Sequence, residues 1–398
     1  HLLFSHETRL AFRAMGTNAL PFLVDRALDV RPASAARSNL HGLFLRMPKW
    51  AGRGSFAPRE RQAAWAASLV GEIRPALPVL LPLLEPSLAG TNKHVRSQAV
   101  HLLGYATGNL EAAVPHLVRA LTQPEDGEWE TRLERRRAAA ALRQLGSPVA
   151  AALPAVAAEL SQPVLDLHVE SSLLMWLTKL GPSAVAAWPA VEPLLEPPRG
   201  PRLVLAALAA HALLPGHPRA VEILRDAAAD ETPWRQGSSR RSLINYTGIC
   251  GWPDPLLADL VEPLAAVELE TWTPQDFSHS RAMSALEKTA PDRARRLYEA
   301  ALPTDAGLPA AFRLIQMDSQ HRGATETLVH WSRPEAQGLP RLNALSWLGL
   351  ASPSNELAVA AREAASRRIN QPDVEAAKRA LEQIVEARAR AAPPAAAE

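Results

Sequence analysis

The chain has 398 residues, 47% hydrophobic and only 5% aromatic, with 43 Lys and Arg against 41 Asp and Glu. A net charge of +2 argues against a dedicated nucleic-acid binder. The single cysteine excludes an internal disulfide framework and any multi-cysteine metal site.

No stretch approaches the ~20 apolar residues of a membrane span, and none reads as a signal peptide. The chain opens on His1 and so reads as a piece of a longer one, which leaves room upstream for a signal or anchor. A cytoplasmic monomer is expected.

In chain order, Arg9 to Gly16 predicts a first helix and its stop, and Ala19-Leu20-Pro21 opens a second. Val30 to Arg61 departs from this pattern: it is basic, holds Gly42, Gly52 and Gly54, and interleaves Phe44, Trp50 and Phe56. Such a loop can present cations and aromatics to nucleic acid or an acidic partner. The preferred reading is a connection whose aromatics pack back on the first two hairpins. A second unit runs from Arg61 to Leu84, with Trp65, Leu69, the stop Gly71, and Leu77-Pro78. A third runs from Val95 to Leu121, with the stop Gly104 and Val114-Pro115. Pro86 to Asn92 and the acidic Gln123 to Glu134, with Asp126-Gly127, read as the turns between units.

From Arg137 to Leu195 the chain repeats itself. Leu142, Leu145 and Gly146 fall on Leu177, Leu180 and Gly181; Leu153-Pro154-Ala155-Val156 falls on Trp188-Pro189-Ala190-Val191; Leu160 falls on Leu195. A self-match at about 35 residues signals a stacked-repeat protein. Leu142 and Leu145 share a helical face, and Gly146 follows where the helix stops and needs positive φ. Pro154 fits only near the start of the second helix. One such hairpin cannot bury its apolar stripe alone, whereas a stack of them can. Gly146 and Gly181 are expected in a left-handed conformation, so Gly181→Val should cost more stability than Gly108→Val.

This pattern of alanine-rich helix, Leu-Gly, short spacer and apolar-Pro-x-apolar helix resembles the HEAT repeats, in a variant common in large bacterial proteins. The likeness spans Thr8 to Leu195 and fades after Pro215, and Gly16 to Pro21 is similar to that group's opening repeat. The resemblance implies a right-handed α-α superhelix that binds other macromolecules, with no catalytic residue to carry over.

Further helices are predicted at Arg202–Leu214, ending in Pro215-Gly216, at Arg219–Ala229, at Ser238–Ile249, ending near Gly251, and at Pro255–Val267. Phe277–Thr289, Pro291–Leu302, Leu308–Ser319, Thr325–Ser332, Leu339–Leu350, Ala358–Arg368 and Asp373–Ala391 read as helices without the Gly-Pro signature. The expected organisation is therefore all-α. Residues 1–272 form the repeat array with its 30–61 insertion, 273–390 form degenerate repeats, and 391–398 form a disordered tail.

Chemistry-bearing residues are sparse. His6-Glu7 resembles the paired ligands of metal-binding HEAT enzymes, but a lone pair supplies at most two ligands, and an exposed helix is expected instead. Arg135-Arg136-Arg137 suits a phosphate clamp, although Glu128, Glu130 and Glu134 stand close enough to offset it. Trp234 to Tyr246, with Arg240 and Arg241, suits an anion at a helix start, or simply a capping serine before a basic face. Cys250 is expected to be a buried structural thiol. No Gly-rich phosphate loop, nucleophile elbow or metal-ligand cluster occurs.

The expected function is a non-catalytic scaffold that binds a protein partner along the second helices and needs no cofactor or metal. His116, Arg119, Glu159 and Glu192 flank the apolar stripe there, and Trp234, Arg240 and Arg241 complete the candidate contacts. Two alternatives follow from resemblance. One is nucleic-acid binding of the DNA-glycosylase type, which grips DNA in a Trp-lined cleft. The other is a lyase-type HEAT protein acting on a cofactor held by a partner. Against the glycosylase reading, Trp65, Trp176 and Trp188 occupy packing positions of their helices.

Overall fold

Two short helices and a turn make the recurring element of the computed structural model. It describes residues 6–29, 59–124, 126–163, 165–196, 201–230, 238–273, 280–318, 321–332 and 344. The 30–58 part of the basic insertion, Trp234, the expected helices after residue 344 and the C-terminal tail lie outside the described residues, as do the side chains of His6 and Glu7. Among the described residues there is no strand, only an isolated bridge between Ala76 and Thr107. The chain forms two compact units, residues 1–227 with 232–242, and residues 228–231 with 243–398.

In the first unit the hairpins are α1 (His6–Met15) with α2 (Leu20–Leu28), α3 (Arg59–Ile73) with α4 (Leu77–Leu88), and α5 (Lys93–Leu103) with α6 (Val114–Leu121). Then follow α7 (Trp129–Leu145) with α8 (Leu153–Leu160), α9 (Leu167–Leu180) with the short α10 (Trp188–Val191), and α11 (Pro201–Leu213) with α12 (Pro218–Ala229). Helix α10 tightens into a 3-10 turn at Glu192–Leu195.

The expected proline rule holds, for Pro21, Pro78, Pro115, Pro154 and Pro189 all sit in the first two positions of their helices. There a missing N–H costs nothing, because it has no partner in the helix. Pro86 differs from its expected place in a turn, since it stays inside α4, which runs on to Leu88.

The glycine rule holds across four units. Gly146, Gly181, Gly216 and Gly251, each 35 residues from the next, have φ of 70°, 60°, 80° and 61°. Gly146 and Gly181 pair these with ψ of −137° and −144°. That is not the left-handed helical region expected from the sequence but a neighbouring one that a Cβ closes almost completely.

Earlier in the chain the rule shifts. Gly71 lies inside α3, and the turn is made by Arg74 at φ 49°. Thr107 of the next unit holds that turn: its Oγ1 donates to the Arg74 carbonyl at 3.1 Å, and its backbone N–H donates to the Pro75 carbonyl at 2.9 Å. Gly104 also has ordinary helical φ (−61°), and the positive φ of its unit falls on Gly108.

First helices α5, α7, α9 and α11 pack side by side in that order. Their contact faces carry Leu102, Leu103, Ala138, Ala141, Leu142, Leu173, Leu177, Leu205 and Leu208, all almost fully buried. Each such leucine contributes ~1.5–3 kcal/mol of transfer free energy. Small residues set the spacing, since a Cβ on Gly104 would lie 3.1 Å from the Ala141 Cα. Each hairpin also satisfies carbonyls of the one before it. Trp176 is fully buried and its Nε1–H donates to the Gly146 carbonyl at 3.0 Å, while Lys179 donates to the Arg143 carbonyl at 3.0 Å. These are the helix-end acceptors that have no intrahelical partner.

The second unit continues the element with α13 (Ser239–Cys250), α14 (Pro255–Glu270), α15 (Arg281–Thr289), α16 (Pro291–Ala301), α17 (Gly307–Met317) and α18 (Arg322–Ser332). Its core gathers Ile244, Val261, Met283, Leu286, Tyr298, Leu308 and Leu314. Lys288 caps the Gly248 carbonyl, the same offset from Gly251 that Arg143 has from Gly146. Between α15 and α16 the turn shrinks to Ala290, and no glycine is needed.

Candidate functional site

The three consecutive arginines of α7 have three different fates. Arg135 turns inward, where it pairs with Glu159 of α8 and donates through Nε to the Leu121 carbonyl at 3.2 Å. Arg136 grips Asp166, the N-cap of α9, with two bonds of 3.0 and 2.6 Å. Arg137 reaches across to α5 and donates to the Ser97 hydroxyl at 2.8 Å, with no carboxylate in the pair. Burial pushes its guanidinium down to about 10.

Ser97, His101 and Tyr105 form one stripe along α5 and its end, four residues apart each time. The Tyr105 hydroxyl lies 3.2 Å from His101 Nε2. Burial, then the charge of Arg137, hold the His101 ring down to about 4, so it is neutral at pH 7. Tyr105 is seated over α3, where a Cβ on Gly71 would come within 2.7 Å of its ring. Sequence reading passed over this cluster, although Ser97, His101 and Tyr105 at four-residue spacing were a visible signal.

A cleft of about 530 Å³ opens beside α8 to α11. Its walls are Leu160, Pro163, Leu167, Pro189, Pro193 and Leu194, with the Glu170–Arg202 ion pair (3.0 Å) alongside. Leu167 is 50% exposed at the start of α9, and Pro163, Pro189 and Pro193 are exposed as well. Exposed proline and leucine offer apolar area with little conformational entropy left to lose on binding.

The expected contact residues are not brought together. Arg119 and Glu192 are exposed and His116 is half-buried on their second-helix segments, and among the described residues no hydrogen bond or ion pair links them. Glu159 corrects the expectation: it is 2% exposed, held by Arg135 and by the Gln162 amide at 3.3 Å. It neighbours the apolar stripe because it belongs to the core, and it offers a partner nothing. Arg240 and Arg241 are half-buried in the first turn of α13, where the Ser238 hydroxyl accepts the Arg241 N–H at 3.3 Å, so the capping-serine reading describes the local geometry. Trp65 and Trp176 are buried, and Trp188 packs against His217 with ring centres 4.7 Å apart. Cys250 is a buried thiol, as expected.

Among the described residues, no group of three or more His, Cys, Asp or Glu stands where it could hold a metal, and no helix is long and apolar enough to cross a membrane. Stacked hairpins with surface clefts between them define an all-α helical-repeat protein. No protein-family model matches the chain, and no curated protein does. Among solved structures, the crystal structure of an engineered protein aligns over 96% of this chain and 97% of its own, at 16% identity and a TM-score of 0.33. That likeness is too remote to carry an argument.

Proposed function

We propose that the chain is a non-catalytic scaffold of the HEAT type that binds a protein partner. The cleft beside α8 to α11 carries this reading, because it offers exposed Leu167, Pro163, Pro189 and Pro193 next to a charged pair. An apolar centre with polar groups at its edge is what a protein segment needs to dock. The disposition of charge favours protein over nucleic acid. Arg96, Arg135, Arg136, Arg202, Arg293 and Arg313 are each engaged with a carboxylate on another element, and so hold little in reserve for a phosphate backbone.

The test places a photo-crosslinking side chain at Gln162 and, as a control, at Val267 in the second unit. The partner recovered from the cells that make the protein is then purified and its affinity measured. A protein captured at 162 but not at 267 is expected, with affinity falling about tenfold or more in Leu167→Asp, which removes a central apolar contact. Capture of nucleic acid instead, or affinity indifferent to Leu167→Asp, would overturn the reading.

A further inference from the structure

We infer that Arg137, with Ser97, His101 and Tyr105, forms a binding site for a phosphate-class oxyanion between α5 and α7. This does not rest on the proposed scaffold role, and the site shares no residue with the cleft.

A guanidinium has five N–H donors. Among the described residues Arg137 uses one of them, on the Ser97 hydroxyl, and has no carboxylate partner. Its two neighbours in sequence show what this chain does with an arginine that serves only structure. Arg135 and Arg136 each have an acid on a later element, Glu159 of α8 and Asp166 at the start of α9. A half-buried cation left without an acid bears a desolvation cost that a single neutral hydroxyl contact returns only in part. An anion seated against it would return that cost, and planar N–H groups match the oxygens of a phosphate.

The neighbours suit the same ligand. His101 and Tyr105 are half-buried and bonded to each other at 3.2 Å, so the ring and the hydroxyl present neutral polar groups beside the cation. Neither adds a negative charge to compete with the ligand. Gly104 packs against Ala141 and the Gln144 side chain at the α5–α7 seam, and Gly71 lets Tyr105 close it from the α3 side. Glu134, one turn earlier on α7, accepts from Arg96 at 2.8 Å and from Gln123 at 2.9 Å, both through Oε1, while its buried Oε2 has no hydrogen-bond partner.

The probes are inorganic phosphate and phosphoserine amide, titrated calorimetrically into the full chain at constant ionic strength, with chloride as the balancing ion. Saturable binding is expected, weakened about tenfold or more in Arg137→Gln, where a charge-assisted contact is lost. Arg132→Gln, which removes an exposed arginine of the same helix, should leave it unchanged. Tighter binding of the ester would identify a phosphorylated partner as the source, and tighter binding of the free ion a small metabolite. Binding of neither, or equal binding by Arg137→Gln, would overturn the inference. A second measurement needs no variant. Sulfate stays doubly charged across the titration of His101, and seated on Arg137 it should offset that charge and raise the midpoint of the ring, read by NMR. A midpoint that saturating sulfate does not move would also overturn the site.

Discussion

Replacing Arg135 by methionine should destabilise the first unit far more than an exposed arginine would. Arg135 and Glu159 are 4% and 2% exposed, so both charges lie outside the reach of water. The substitution keeps the aliphatic bulk but leaves the Glu159 carboxylate with only the Gln162 amide, 3.3 Å away, and strips the Leu121 carbonyl of its 3.2 Å donor. Breaking one side of a buried pair costs about 3–5 kcal/mol, most of it the penalty of the charge left behind. Arg135→Met with Glu159→Leu removes both charges and should return to within about 1 kcal/mol of the native chain, since an apolar pair of similar volume is often neutral. With two compact units a single unfolding free energy is ill-defined. Hydrogen exchange of the α8 amides therefore reports the local opening. The single variant should exchange about a hundredfold faster or more, and the double variant should recover most of that. A loss below about 1 kcal/mol in the single variant, or no recovery in the double, would refute the claim that the charges are desolvated.

Two further outcomes follow from the backbone and the buried ring. Gly181→Ala should cost about 1–3 kcal/mol through backbone strain alone, because the only atom within 4 Å of the new Cβ is the Ala212 carbonyl oxygen at 3.8 Å. Gly248→Ala, inside α13 with Ala285 no nearer than 3.6 Å, should instead gain up to about 1 kcal/mol from helix propensity; a Gly181→Ala that does not lower the melting temperature would contradict the first, and a Gly248→Ala that lowers it would contradict the second. Gly108 no longer serves as the milder comparison, since its φ of 86° asks for glycine too. His101, with its folded pKa near 4 against 6.5 unfolded, should erode stability as pH falls through that window, because the unfolded chain binds the proton that the native chain refuses. His101→Gln should flatten that part of the pH profile, and a profile identical to the native one would show that the ring is not held neutral.

The fold was legible because its signals are local. Leu-Gly at a helix end and apolar-Pro at the next helix start act within a few residues, and both recur at the repeat period, so Gly146, Gly181 and Pro154 could be placed from the sequence. Gly71 of the second hairpin and the turn at Arg74 could not. Arg74 keeps positive φ because Thr107, more than thirty residues later, donates to its carbonyl, and Gly71 is needed for the Tyr105 ring rather than for a turn. Both reasons lie in the next hairpin. Glu159 was misplaced for a related cause. Helical periodicity puts it beside the apolar stripe, but whether such a glutamate faces solvent or the core depends on Arg135 of the neighbouring helix, which periodicity does not register.

The same dependence governs how the charges of the first unit are paired. Four ion pairs of the first unit join residues 24 to 38 positions apart: Arg135 to Glu159, Arg136 to Asp166, Arg202 to Glu170, Arg96 to Glu134. Each of these cations finds its acid on another element of the stack, up to about one repeat away. Read within ten residues, Arg135 to Arg137 is a basic cluster. Read one repeat further, two of its three charges are already neutralised. The balance of 43 basic and 41 acidic side chains is then a natural consequence of stacking. In such a chain a charge becomes informative about ligands only when its partner one repeat away is missing. Arg137 meets that condition among the described residues, whereas Arg135 and Arg136 do not.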